Sequence, residues 1–253
     1  MKTSVQLLLQ RAASLLSSHP KSKFLLSNPI WSAATEHTLL TQEELTEINL
    51  LVPRLCESNH FPEAIRLIDA ALLTNPPLKS LPLSVLIDRL TAEPDMTQSM
   101  SLLNHLKHNP NAHPALAPIN QMFLVSYFKK HRFKEAMKIF SWMSRPDSPC
   151  NPDAMVYRIV IGGFCRNGKT LEALKVMRAM LGANTIPDTD LRTWVYRSLL
   201  REARIGEAQE WNQTLVSIGN GEHLVPESLG VYRNIQVENA ACYCGSLHCK
   251  RVD

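Results

Sequence analysis

The sequence predicts an all-α protein, an α-solenoid of five helix-turn-helix repeats, and three observations support this prediction. Apolar residues recur at helical spacing through most of the 253 residues. A Glu-Ala pair occurs at 63–64, 135–136, 172–173 and 207–208, with Gln98-Ser99 as a variant. The second residues of these pairs, at 64, 99, 136, 173 and 208, are separated by 35, 37, 37 and 35 residues. A period of this length is typical of stacked helical hairpins that share one continuous core.

The clearest hairpin is predicted over residues 154–188. Tyr157, Val160 and Phe164 recur at helical spacing and would lie on one face of a first helix. Asn167-Gly168 predicts the turn, because glycine adopts the left-handed conformation that ends many helices. A second apolar stripe follows at Leu171, Leu174, Met177 and Leu181. A single hairpin cannot bury two such stripes, so neighbouring copies are required.

Three further columns are apolar in every copy. One lies three residues after the small residue, at Leu67, Leu102, Ile139, Val176 and Trp211. The other two are adjacent positions in the first helix: Leu51/Val52, Leu86/Ile87, Phe123/Leu124, Val160/Ile161 and Val195/Tyr196. The repeats are therefore predicted at 45–79, 80–116, 117–153, 154–188 and 189–223. The small residues, such as Ala136 and Ala173, are expected to be buried where the paired helices approach closely.

These features resemble pentatricopeptide repeats. The resemblance rests on the period near 35, the closing pairs Pro152-Asp153 and Pro187-Asp188, the start at Tyr157 and the turn at 163–168. The 34-residue tetratricopeptide repeat is the close rival, but none of the steps is 34. The resemblance covers about residues 45–223 and implies a right-handed superhelix.

The N-terminal segment predicts an organellar transit peptide over residues 1–30. It contains Lys2, Arg11, Lys21 and Lys23 with many serines, and no acidic residue precedes Glu36. Leucines recur there at helical spacing, as in amphipathic import signals. A helix that caps the solenoid is the alternative, and residues 31–44 are interpreted as a linker or capping helix. We expect the mitochondrial matrix, with the plastid stroma as the alternative.

The composition is that of an ordinary soluble protein, with 45% hydrophobic and 20% charged residues. No apolar run approaches the roughly 20 residues that span a bilayer. The six cysteines are scattered, which favours a reducing compartment over a disulfide framework. Residues 45–116 contain five Lys/Arg and seven Asp/Glu, whereas residues 117–223 contain fifteen and ten, so the charge changes from −2 to +5.

The resemblance implies base-facing residues at two places in each repeat. In pentatricopeptide families the fifth and last residues of a repeat can read one nucleotide of a single strand, as in other helical repeat readers. The candidates in this sequence are Asn49, Ser84, Gln121, Asp153, Arg158, Asp188 and Thr193. No repeat combines Asn, Thr or Ser at the fifth position with Asp or Asn at the last. A hydrogen-bond code therefore cannot be written for this chain.

The sequence indicates contacts with the RNA backbone more clearly than contacts with the bases. The thirteenth residue of repeats three to five is Lys129, Arg166 or Arg201, whereas repeats one and two carry Glu57 and Ala92 there. One cation per repeat at a constant offset would form a phosphate ladder that neutralises phosphates whatever the base sequence. The alternative interpretation is that these cations only complement the dipole of the helix that they end.

The C-terminal tail, residues 224–253, falls outside the repeat pattern. Cys242, Cys244, His248 and Cys249 could supply a zinc shell, but their spacing is tighter than that of known sites, so reduced thiols are expected. The chain contains no Gly-rich phosphate loop and no nucleophile elbow, and we expect no enzymatic activity, no cofactor and no small-molecule substrate.

Together these patterns predict an RNA-binding adaptor of an organelle. It would bind single-stranded RNA mainly through backbone contacts and support RNA processing, splicing or stability. The alternative is a structural scaffold subunit of the mitochondrial ribosome or another organellar complex. Ribosomal or splicing-complex proteins are therefore further candidate partners, and no membrane is expected.

Overall fold

The computed structural model describes residues 2–17, 40–73, 76 and 78–219, and all regular structure within these ranges is helical. Eleven α-helices lie in this part of the chain. They are α1 (Lys2–Ser17), α2 (Gln42–Glu57), α3 (Phe61–Leu72), α4 (Leu83–Ala92), α5 (Thr97–Lys107), α6 (His113–Lys129), α7 (Phe133–Met143), α8 (Ala154–Arg166), α9 (Thr170–Gly182), α10 (Thr189–Arg201) and α11 (Ile205–Gly219). The predicted all-α class is confirmed.

The helices form two compact units, residues 1–179 and 180–253. In the first unit the first helices of consecutive hairpins, α2, α4, α6 and α8, pack side by side. Their partners α3, α5 and α7 pack behind them. In the second unit α10 and α11 pack as a hairpin. No helix within the described ranges is long and apolar enough to cross a membrane.

The small-residue column is completely buried in every hairpin. Its five members, Ala64, Ser99, Ala136, Ala173 and Ala208, each have 0% of their surface exposed. The predicted burial of Ala136 and Ala173 is therefore confirmed. Since a larger side chain would push two packed helices apart, this position tolerates only Ala or Ser.

The turn between the two helices repeats the same backbone conformation. The fifteenth residue of repeats one, three, four and five has a positive φ: Asn59 (60°), His131 (56°), Gly168 (63°) and Ala203 (55°). The next N–H donates to the carbonyl five residues earlier, for example from Arg132 to Tyr127 at 2.9 Å. This is the hydrogen bond that closes many helix C-termini. Repeat two has Pro94 at the fifteenth position, and proline cannot adopt a positive φ.

Helix α1 packs against α3, the second helix of the first repeat. Leu8 and Ala12 are buried, with 4% and 2% of their surface exposed. An ion pair joins Arg11 Nη1 to Glu44 Oε1 at 2.5 Å. This is the capping arrangement considered as the alternative for the N-terminal segment, whereas removal of residues 1–30 on import stays a prediction.

Two first helices begin before the predicted start of their repeats. Helix α2 begins at Gln42, because Thr41 and Glu44 form a capping box in which each side chain accepts a hydrogen bond from the backbone N–H of the other. Helix α6 begins at His113, and Pro114 lies in its first turn, where the missing N–H has no cost. The four candidate zinc ligands, Cys242, Cys244, His248 and Cys249, lie outside the described residues.

Candidate nucleic-acid interface

The thirteenth residue of every repeat is the last residue of its first helix. Lys129, Arg166 and Arg201 end α6, α8 and α10. In the same way Glu57 ends α2 and Ala92 ends α4. All five side chains are exposed. The repeat spacing therefore places these five positions at one equivalent structural location.

Lys129 and Arg166 are available to a ligand. Both are exposed, and neither side chain has a hydrogen-bond or ion-pair partner within the described ranges. Their helices, α6 and α8, pack against each other, so the two charges end neighbouring helices of one unit. Arg201 is also exposed and ends the equivalent helix of the second unit. A cation at the end of each of these three first helices can neutralise one phosphate.

The other cations of the segment 129–132 have structural partners. The Lys130 ammonium forms an ion pair with Asp88 at 2.8 Å and donates to Thr91 Oγ1 at 2.9 Å. Arg132 donates to the carbonyls of Thr91 (3.0 Å), Glu93 and Pro94 (2.9 Å). Both side chains thus bind the C-terminal end of α4, where cations are favoured by the helix dipole. Sequence reasoning selected Lys129 by its repeat position and assigned no role to Lys130 or Arg132, although Pro94 at the turn position was a visible signal that α4 needed another partner.

Arg132 is held in place by its own neighbours. Its guanidinium carbon lies 5.4 Å from the centre of the Tyr127 ring, and its Nη2 donates to Glu135 Oε1 at 3.0 Å. Burial raises the pKa of Glu135, but the hydrogen bond and the charge of Arg132 outweigh it, so that this pKa lies below its usual value. Glu135 is therefore ionised at neutral pH and fixes the guanidinium against the end of α4.

One pair of base-facing candidates is in contact. Gln121 on α6 donates from Nε2 to Asp153 Oδ2 at 3.5 Å. Asp153 also caps α8, since its Oδ1 accepts from the Val156 N–H at 2.7 Å. Asp188 caps α10 in the same way, with Leu191 N–H at 2.8 Å. The Pro-Asp pairs thus begin the next first helix, which gives them a structural role independent of any nucleotide.

The other base-facing candidates lie on four first helices. Asn49 is half-buried on α2, Ser84 is exposed on α4, Arg158 is half-buried on α8 and Thr193 is half-buried on α10. The Asn49 Oδ1 atom is buried and has no hydrogen-bond partner within the described part of the chain. Thr193 Oγ1 donates to the carbonyl of Thr189 at 2.8 Å, so its hydroxyl proton is engaged in a hydrogen bond within α10. No group of three or more His, Cys, Asp or Glu within the described ranges is arranged to hold a metal ion.

The fold and this surface define a helical-hairpin repeat protein with an exposed cation at the end of several first helices. Part of this chain also matches the model of a known family. A family model described as a PPR repeat matches residues 148–181, which lie largely within the predicted fourth repeat. This segment of the chain is therefore similar to a pentatricopeptide repeat.

Two similar proteins carry the same family name. A mitochondrial pentatricopeptide repeat-containing protein from Arabidopsis thaliana is 19% identical over 203 residues, which is 80% of this chain. The chain spans 25% of the length of that relative. Among solved structures, the pentatricopeptide repeat protein PPR10 from maize has 14% sequence identity and a TM-score of 0.36, over 68% of this chain and 29% of that chain.

Proposed function

We propose that this protein binds single-stranded RNA in an organelle, mainly through the phosphates, and that it supports processing, splicing or stability of that RNA. The observation that carries the proposal is the equivalent position of Lys129, Arg166 and Arg201 at the ends of three first helices. The match of residues 148–181 to a PPR repeat model supports an RNA-binding role. The mitochondrial relative supports an organelle, and the mitochondrial matrix is the proposed compartment.

Sequence-independent binding follows from the chemistry of the site. Lys129 and Arg166 are exposed cations, and a cation bound to phosphate carries no information about the base. Among the base-facing candidates, Gln121 and Asp153 contact each other, and Asp153 also caps α8. A base preference of the third repeat would therefore be weak.

The test measures how binding of a random pool of single-stranded RNA depends on salt. For single strands each lost phosphate contact reduces the slope of log K against log salt by about 0.7. Changing Lys129, Arg166 and Arg201 together to Ala should therefore reduce the slope by about 2. The circular dichroism spectrum should not change, because these side chains lie outside the apolar core.

A matched triple variant controls for charge alone. Arg66, Lys138 and Lys175 are exposed cations at the twenty-second position of repeats one, three and four, on the second helices. Their replacement by Ala removes the same charge and should leave the slope unchanged. If this control flattens the slope instead, the RNA lies on the second helices and the proposed surface is wrong. If the native protein does not bind RNA, the scaffold alternative replaces the proposal.

A further inference from the structure

In the first unit, two of the seams, meaning the contacts between neighbouring first helices, follow one rule. The tenth residue of a repeat lies against the twelfth residue of the preceding repeat. A Cβ atom added to Gly163 would lie 2.7 Å from the ring of Phe128, and Ser126 Oγ lies 2.6 Å from Thr91 Oγ1. These seams join α6 to α8 and α4 to α6, and they accept only a small residue at the tenth position.

The seam between α2 and α4 departs from this rule. Its tenth-position residue is Arg89, and the twelfth residue of the preceding repeat is Cys56. The two residues are close enough for the positive charge of Arg89 to lower the pKa of the Cys56 thiol, although burial outweighs this and raises that pKa to about 11. Because an arginine is far larger than Gly or Ser, its side chain cannot remain inside such a seam.

Arg89 is accordingly exposed, and its side chain has no hydrogen-bond or ion-pair partner within the described ranges. The second helices α3 and α5 pack behind α2 and α4. The sequence neighbour Asp88 does not neutralise Arg89, since the Asp88 carboxylate is bound by Lys130 at 2.8 Å. Arg89 is therefore an exposed cation on the first helix α4 that no described residue neutralises.

Repeat two carries no cation at its thirteenth position, where repeats three to five have Lys or Arg. Its thirteenth residue is Ala92, exposed at the end of α4. Arg89 lies three residues earlier, which is about 4.5 Å along the helix axis, and residues three apart lie on neighbouring parts of one helix face. The long arginine side chain can span this displacement of less than one turn.

We infer that Arg89 is a further phosphate-binding residue, and that it continues the row of cations from repeats three and four into repeat two. This inference rests on the proposed function. Arg89, Lys129 and Arg166 then supply one cation from each of three adjacent first helices, α4, α6 and α8, all in the first unit. The row ends at repeat one, where Glu57 lies at the end of α2 and Arg54, the equivalent of Arg89, is engaged in another contact.

The experiment uses the full chain and a random pool of single-stranded RNA. Arg89→Ala should reduce the salt slope of binding by about 0.7, and Arg89→Lys should keep the slope of the native protein. The double variant Arg89→Ala/Ala92→Lys returns a cation to the thirteenth position and should restore the slope. Arg66→Ala, which removes an exposed arginine from α3, is the control and should leave the slope unchanged.

The outcomes separate this inference from the proposed function. If Lys129→Ala reduces the slope but Arg89→Ala does not, the row ends at repeat three and the inference is overturned while the proposed function stands. If Arg89→Ala lowers the denaturation midpoint and the double variant does not restore the slope, Arg89 has only a structural role. If the native protein does not bind RNA, the proposed function fails and the inference fails with it.

Discussion

Repeats two and three are neighbours of similar length, but only the third has the regular turn. In repeat three His131 has a φ of 56° and the backbone bond from Arg132 to Tyr127 closes α6. In repeat two Pro94 occupies the equivalent position, and the end of α4 is bound instead by Lys130 and Arg132 of repeat three. A degenerate repeat thus keeps its place because the next repeat supplies the contacts that its own turn lacks.

The small-residue column shows the same dependence of repeat two on repeat three. Repeat three has Ala136, whereas repeat two has Ser99, and both are completely buried. The Ser99 hydroxyl accepts a hydrogen bond from Tyr127 Oη at 2.9 Å and donates to the Leu90 carbonyl at 3.4 Å. A buried hydroxyl is tolerated at this position because a residue of the neighbouring repeat satisfies it.

Among the substitutions that test how repeat two depends on repeat three, Arg132→Ala is expected to lower stability most. The substitution removes three hydrogen bonds to the end of α4, the ion pair with Glu135 and the contact with Tyr127. Since the guanidinium is partly buried, the free energy of unfolding should fall by roughly 2–3 kcal/mol in urea denaturation. Lys134→Ala, at an exposed position two residues away, should change it by less than about 0.5 kcal/mol. Equal values for the two variants would show that repeat two does not depend on Arg132.

A smaller effect is expected at the bond between Tyr127 and Ser99. Ser99→Ala leaves the buried Tyr127 hydroxyl without its partner and should lower the free energy of unfolding by about 1–2 kcal/mol. Adding Tyr127→Phe to this variant removes the unsatisfied hydroxyl and should recover part of the loss. If the double variant is as unstable as the sum of the two single variants, the two hydroxyls do not interact.

The burial of Tyr127 predicts a loss of stability in alkaline solution. Burial raises the pKa of Tyr127 above its ordinary value of 10.0. The folded protein therefore keeps the phenol proton at pH values where the unfolded chain has lost it, and stability falls as the pH rises above about 10. Urea denaturation at several alkaline pH values should show a steeper loss for the native protein than for Tyr127→Phe.

Much of the repeat architecture could be predicted from the sequence, because it depends on local periodicity and on one small-residue column. The positive φ at Gly168 was predictable from its residue type, whereas those at Asn59, His131 and Ala203 were not, since these residues adopt that conformation only in a packed turn. The repeat register makes Gln121 and Asp153 the fifth and last residues of repeat three, and their contact is visible in the structure.

The partners of individual cations could not be predicted from the sequence. Lys129 and Lys130 are adjacent and chemically identical, yet only Lys130 lies within reach of Asp88. That difference depends on how α4 packs against α6, which no local pattern encodes. For the same reason the exposure of Arg89, which results from the size of the seam beside it, became visible only in the structure.

The most direct test of the account compares Lys129→Ala with Lys130→Ala. Each removes one lysine from adjacent positions, so the net charge is the same. Lys129→Ala should reduce the salt slope of RNA binding by about 0.7 and leave the urea midpoint unchanged, because its side chain is exposed and unpaired within the described ranges. Lys130→Ala should lower the free energy of unfolding by about 1 kcal/mol and leave the slope unchanged, because its charge is bound to Asp88. Equal changes in slope for the two variants would contradict the claim that the ends of the first helices bind phosphate.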